Sequence, residues 1–560
     1  MYKNTIIAPL VGCLIFALMP ILLCSQGNFS GGFQSNANFF LRDSLIGADN
    51  IPQYDYQLFG AEAWLDLNYS QNGYSAGVRF DLFNNSNLLD PNNSYSGQGI
   101  GRWFISKEME KLGITVGYIY DQIGSGVIFR AFEERPLLID NALVGARVRY
   151  RFNENLNAKV FTGRQRDLFS TTKSIVKGAA IEGFMSFGEE SRMHIAPGIG
   201  FLNRTLDDET MNKVIGIVKS YIGNERIIPE YNVNLASIYN TLSYKGFTWY
   251  LEAAYKSPDI FFDPTAIQTE ITGTESLGKY VKENGTLIYT SVSFGKNKLG
   301  LTLEAKRTEN FNLRVDPTLQ RTFGLLNFLP PMNRQNTYRL TSRYSPATQD
   351  LSELGFQGDL KYRFSKSFNI LLNVSNIADL DSELLYRELY FETLYKHKRT
   401  WQLITGIQLQ EYNQEIYEVK PEVPNIQSIV PFVDFLYKFN RKKSIRTEIQ
   451  YMNVQEDIKA DSKQDFGDWV FALVELNMAP HWSFVLSDMY NIVPGKSSPT
   501  ENDGSKILLH YPRADIFYTH DSNRFGLSYV KQVEGIVCTG GICRLEPAFS
   551  GVKFSINSTF

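Results

Sequence analysis

Apolar and polar positions alternate one for one along most of this chain, the period of a strand with two unlike faces. Near the C-terminus Val552, Phe554, Ile556, Ser558 and Phe560 share one face while Lys553, Ser555, Asn557 and Thr559 share the other. Leu354, Phe356, Leu360, Tyr362 and Phe364 likewise stand against Gln357, Asp359, Lys361 and Arg363, and Ile445, Thr447, Ile449 and Tyr451 against Arg446, Glu448 and Gln450. Alternation alone fits both a β-sandwich with a shared core and a barrel with lipid outside and water inside. Three features favour the barrel. The segments run about 10 to 14 residues, nearer the length that crosses a bilayer at a tilt than the usual globular strand. Tight connections such as Ser70 to Gly73, Lys245-Gly246 and Asp521-Ser522 alternate with long ones near 43–56, 86–98, 123–142, 204–231, 258–284, 311–352 and 413–425. Tyr, Trp and Phe crowd the segment ends, as an interfacial girdle requires.

Under this rule the chain predicts an all-β, transmembrane, antiparallel up-and-down barrel of about 24 strands (22 to 26), from 29–42 through 143–152 and 443–456 to 545–560. Short turns are expected on the periplasmic side and long loops outside. Thr337 to Tyr344 also alternates, but parity assigns it to a loop.

Composition narrows the class. Hydrophobic residues make up 43%, and past residue 25 no run of 18 apolar residues exists, which excludes a helical membrane protein. Lys+Arg of 56 against Asp+Glu of 59 gives a net charge of −3, which argues against nucleic acid as a partner. Residues 1–25 read as a secretory signal, with Lys3 in its basic region and Leu14 to Leu23 as its apolar stretch. A lipoprotein signal acylated at Cys24 is the rival, but Leu23 stands where a small residue is wanted. Residues 26–560 then form one domain with no N-terminal plug. Within it Cys538 and Cys543 flank a four-residue turn, a spacing suited to a disulfide across a hairpin; a reduced pair is the alternative.

The ending Phe554-Ser555-Ile556-Asn557-Ser558-Thr559-Phe560 resembles the C-terminal signal that barrel-assembly machinery reads, with Phe554, Ile556 and Phe560 as its apolar positions. Ile123-Gly124-Ser125-Gly126-Val127-Ile128-Phe129-Arg130, Phe132-Glu133-Glu134-Arg135, Ile139-Asp140-Asn141-Ala142 and the Cys538 to Cys543 hairpin resemble an uncharacterised family of large outer-membrane barrels of Bacteroidota. The resemblance spans the mature chain. It implies fold and a multi-pass place in the cell outer membrane, and no established activity.

Candidate chemistry is sparse. Of the five histidines, His194, His397, His481 and His520 fall at tight turns, and His510 near Asp515 reads as a solvated lumen residue. Gly273 to Lys279 has P-loop spacing, but Tyr280 replaces the required Ser or Thr. No catalytic, metal or cofactor site is expected. Charges on inner faces are more informative: Arg147, Arg149 and Arg151 share one strand face, with Arg79 and Asp81, and Glu62 and Asp66, nearby. They either pair across strands, the blander reading, or bind an anionic solute or set ion selectivity. The loop from Gly124 to Asn141 carries Arg130, Glu133, Glu134, Arg135 and Asp140 and is expected to fold inward as an occluder, because a barrel this wide left open would compromise the membrane. Two functions follow: a porin-like channel or transport-type barrel partly closed by its own loops, or a non-enzymatic accessory barrel that docks lipoproteins or other barrels in an assembly or secretion complex. Lipid of the outer membrane and the barrel-assembly machinery are the other expected partners.

Overall fold

In a computed structural model the alternating segments become 24 antiparallel staves closed into one barrel. Residues 27–560 are described except 88–91, 189–191, 224, 270–272, 320–322, 349–351, 419–422, 456–466, 497 and 540–541, together with the side chains of 136, 455, 536–539, 542, 543 and 545. Residues 1–25, the expected signal, lie outside them. Each stave pairs with its sequence neighbours, and Asn28–Phe40 pairs with Phe549–Thr559 to complete the ring. At that seam the Gly31 N–H donates to the Phe560 carbonyl at 2.7 Å and the Phe560 N–H to the Gly31 carbonyl at 3.0 Å. Closure pairs the main-chain groups of the staves and leaves the ring itself without a sheet edge, the condition for a β-structure to sit in an apolar medium.

Stave limits follow the alternation closely: Leu143–Asn153 for an expected 143–152, Lys443–Gln455 for 443–456, Phe549–Thr559 for 545–560. One connection differs. The stretch expected as a long loop over 258–284 is mostly strand: Phe247–Thr269 and Glu275–Lys296, 23 and 22 residues long, stay paired out to Thr269 opposite Glu275 and project as a ribbon beyond the ring. Its register shifts between Lys256 and Asp259 and again between Asp263 and Ile267. Pro258 and Pro264 fall in those two irregularities, the places where a strand tolerates proline, and they interrupt the alternation that would have revealed it. A helix, Asp208–Val218, capped by the Asp207 carboxylate on the Glu209 and Thr210 N–H groups, leans Val214 and Val218 on Ile260 of this ribbon.

The outer face is an apolar belt; Ile199 and Ile238 are each 62% exposed and Leu486 65%. Tyr74, Tyr150, Phe152, Phe364, Phe439 and Trp482 stand exposed at its short-turn end. The inner face divides along its length. Near the long loops it is buried, with apolar positions (Leu143, Val176, Leu202, Val430, Trp469) beside paired charges such as Arg79, Asp81, Lys256 and Lys306, whereas toward the short turns it carries charged side chains open to water, such as Arg149 and Glu108.

Candidate functional site in the lumen

Among the described residues, two long loops that descend into the long-loop half of the barrel interlock as a plug. The first follows the stave Leu112–Ile119 and folds as two small ribbons, Gln122–Ile123 against Phe129–Arg130 and Glu133–Glu134 against Ile139–Asp140. Ile123, Val127, Ile128 and Phe129 have no exposed surface. Gly124 adopts φ +56°, and a Cβ there would stand 2.5 Å from Glu252 Oε1, so the tight turn over this wall carboxylate admits only glycine. The Ser125 N–H (2.9 Å) and hydroxyl (2.6 Å) both donate to Glu252 Oε2, as does the Tyr250 hydroxyl at 2.6 Å.

The second loop lies between the staves Leu299–Glu309 and Ser352–Arg363 and interlocks with the first. Asn327 Nδ2 donates to the carbonyls of Val127 and Phe311, each at 3.0 Å, the Arg130 N–H to Leu326 at 2.9 Å, and the Phe328 N–H to Gly126 at 3.0 Å. The Arg130 guanidinium stands 4.3 Å from the ring centre of Phe328 and 4.9 Å from that of Phe132, a pair of cation–π contacts. Buried wall cations cap loop carbonyls: Lys256 Nζ reaches Asn312, Lys306 Nζ reaches Pro330, each at 2.7 Å, and Arg204 reaches Arg314 at 3.0 Å. The alternating Thr337 to Tyr344 is a buried turn, not a strand. The Leu340 N–H donates to Gln450 Oε1 at 2.7 Å, and Gln408 and Gln410 donate to the carbonyls of Thr341 and Tyr344.

Charged residues join the first loop to the wall. Arg79 holds Asp81 (2.6 Å) on its own stave and Glu133 (2.5 Å) and Asp140 (3.2 Å) on the loop. Arg166 binds Asp81 at 2.8 Å and also Asp140. Arg135 of the loop takes Glu133 (3.0 Å) and the wall residue Asp66 (2.8 Å), which Arg102 also holds at 2.7 Å. Four guanidinium groups thus meet four carboxylates with no excess charge. Room for this network depends on Gly101, the extra residue of a bulge opposite Arg79 and Phe80; a Cβ there would collide with the Asp81 carboxylate. Burial disfavours charge on Glu133, but Arg79 and Arg135 outweigh it and hold its carboxyl below the usual range. At Asp140 burial wins, helped by the Glu133 charge and opposed by Arg166 and Arg79, and the carboxyl is pushed up.

The structure places the remaining sequence candidates as follows. Arg147 binds Asp121 at 2.8 Å, Arg149 pairs with Glu108, and Arg151 has no carboxylate partner among the described residues. Glu62, 1% exposed, faces inward beside Ser86. Glu134 contributes only its backbone, to the second small ribbon. Phe554, Ile556 and Phe560 face outward on the closing stave. The backbone sets Cys538 opposite Cys543, while their side chains, and so the expected disulfide, lie outside the described residues. His510 corrects one expectation: it binds Asp488 at 2.6 Å on the outward face, because Asp515 is taken inward by Arg513 and Ser528.

Sequence reasoning missed the second plug loop and the cations Lys256, Lys306 and Arg204 that hold it. A signal was present: near the long loops the inner positions Val176, Leu202, Leu235, Val430 and Met452 are apolar, which a water-filled lumen does not ask for.

A closed up-and-down barrel with an apolar outer belt, a charged inner face and a plug made from its own loops is the class that fold and site define. Within it, the chain belongs to a family of unknown function (DUF6029), whose pattern matches residues 1–560. No curated protein is significantly similar in sequence. Among solved structures it is similar to the ferric citrate transporter FecA in its unliganded form (TM-score 0.42, 8% identity, 95% of this chain and 78% of that one). It is also similar to the P pilus usher PapC translocation pore (0.39, 8%, 95% and 99%) and to the FrpB iron transporter from Neisseria meningitidis (0.39, 8%, 97% and 84%). These likenesses are of barrel shape only.

Proposed function

We propose that the protein is a transport-type channel of the cell outer membrane, closed in the state seen here by its own two inward loops. The exposed apolar belt and the aromatic residues at its short-turn end support the membrane placement, with short turns on the periplasmic side. The observation that carries the reading is how the plug is held. Its first loop joins the wall through the apolar contacts of Ile123, Val127, Ile128 and Phe129 and, at its other end, through the ion pairs of Arg79, Arg166, Arg102 and Arg135 with Asp81, Glu133, Asp140 and Asp66, a joint that a change of charge or a bound ion can weaken without unfolding the wall. Conductance of the full-length barrel in planar bilayers, with Gly124 to Asn141 present or replaced by a short Gly-Ser link, tests it. The intact protein is expected to show small or rare openings and the deletion large discrete steps; silence from both overturns the reading. The ribbon favours a second reading, an accessory barrel that docks other proteins, because Leu277 and Ile267 face each other near its tip, 75% and 52% exposed. A single-component sample after gentle detergent extraction would count against it.

A further inference from the structure

Beneath the plug, at the short-turn mouth, lies a cavity of about 430 Å3. Arg147, Arg149 and Arg151 recur at every second residue on the inner face of Leu143–Asn153, so their guanidinium groups rise in a column with steps of about 7 Å. Lys159, opposite Arg149 in register, and Lys111 in the neighbouring turn add two ammonium groups. The acids lining the cavity are Glu108, Glu110, Asp121 and Glu182. Asp121 is shared by Arg147 (2.8 Å) and Lys159 (2.9 Å), Glu108 is taken by Arg149, and Glu182 accepts the Tyr239 hydroxyl at 2.8 Å. Arg151 and Lys111 have no carboxylate partner among the described residues, and Arg147 Nε is buried without an acceptor. Arg149 and Glu108 keep about half of their side-chain surface open to water (48% and 49%), so a solute entering at this end reaches the column.

We infer that this cavity binds a small organic polyanion, a phosphate ester or a di- or tricarboxylate, along the Arg147, Arg149 and Arg151 column. Planar guanidinium forks match carboxylate and phosphate oxygens two at a time, and their spacing suits a ligand with anionic groups at both ends. The volume lies within the range of about 300 to 1,000 Å3 common for small-molecule sites. The inference deepens the channel reading by naming a solute class, and it adds a coupling. Asp121 stands at the root of the first plug loop, where Lys159 also holds the Gln122 carbonyl at 2.5 Å. An anion that takes Arg147 and Lys159 from Asp121 frees that root, so occupancy of the cavity and release of the plug are linked.

Calorimetric titration of the detergent-solubilised full-length barrel with pyrophosphate and with citrate, at low and high salt, tests the site without requiring conduction. Saturable, salt-weakened binding of at least one is expected; the two arms tell phosphate from carboxylate preference. Arg151→Glu should weaken it by at least about tenfold, as should Arg149→Glu, since each reverses a charge-assisted contact. Asp121→Asn should tighten it by releasing two cations. Arg151 is exposed and has no carboxylate partner among the described residues, so its variant is expected to fold, and the heat-shifted electrophoretic mobility of barrels checks this. Absence of saturable binding to either anion, or binding indifferent to Arg151→Glu, overturns the inference. Binding without conductance leaves the site standing and removes the channel, and conductance without binding does the reverse.

Discussion

Leu143 and Arg151 point into the barrel from the same face of one stave, and their surroundings differ completely. Leu143 is fully buried among Ile119, Val176 and the first plug loop, while Arg151 lines a water-accessible cavity. The two halves of the lumen are thus two media within one wall. In the long-loop half, apolar inner positions meet loops whose own apolar residues would otherwise face water, burial drives the assembly, and the charges of Arg79, Asp81 and Arg166 are paired out of reach of water. In the short-turn half, charges are hydrated or paired and contribute little to holding the wall together. Inward direction sets which face a residue occupies, and the plug decides whether that face is wet.

The sharpest way to break this contrast is to place an unpaired charge in the dry half. Ile128→Asp puts a carboxylate where no water reaches, at a cost of several kcal/mol. Hydrogen exchange over Gly124 to Asn141 should rise toward that of a free loop while the staves stay protected. Arg79→Ala leaves Asp81, Glu133 and Asp140 facing one another and should loosen the first loop by about 3 to 5 kcal/mol in the same measurement, the cost of breaking a buried pair. Leu143→Ala should cost about 2 to 5 kcal/mol in thermal or urea unfolding, whereas Arg151→Ala on the same stave should stay within about 0.5 kcal/mol. Equal effects would dissolve the distinction between the halves. The smallest effect is set by pH. Glu133 has a folded value held below its ordinary 4.5, so its contribution to docking is complete above that value and is lost as pH falls through the lower folded one. Protection of the loop amides, relative to their intrinsic exchange at each pH, should therefore fall below about pH 4.5, and Glu133→Gln should remove that acid response.

The wall was legible because alternation and turn spacing are local: Ile445 to Tyr451 announce their stave without knowledge of any partner. The ribbon was not, since Pro258 and Pro264 sit in bulges that only pairing makes tolerable. Much of the ion-pair network was visible as residues, Arg79, Asp81, Asp66, Glu133, Arg135 and Asp140, but not as one cluster, because the loop and the wall meet only after closure. Arg102 and Arg166 carried no separate mark. Phe311, Leu313, Leu326 and Leu340 fell within the long connection 311–352, and which wall would cover them is a long-range fact.

The seam between Asn28–Phe40 and Phe549–Thr559 has a consequence for assembly. It joins strands on the order of five hundred positions apart, the costliest loop closure in the chain, and contacts of such separation are reached late and slowly. Until it forms, the growing sheet carries two unpaired edges, each a template for another chain. The step most exposed to misassembly is therefore the meeting of the first and last strands, which requires that both edges be shielded while the sheet curls.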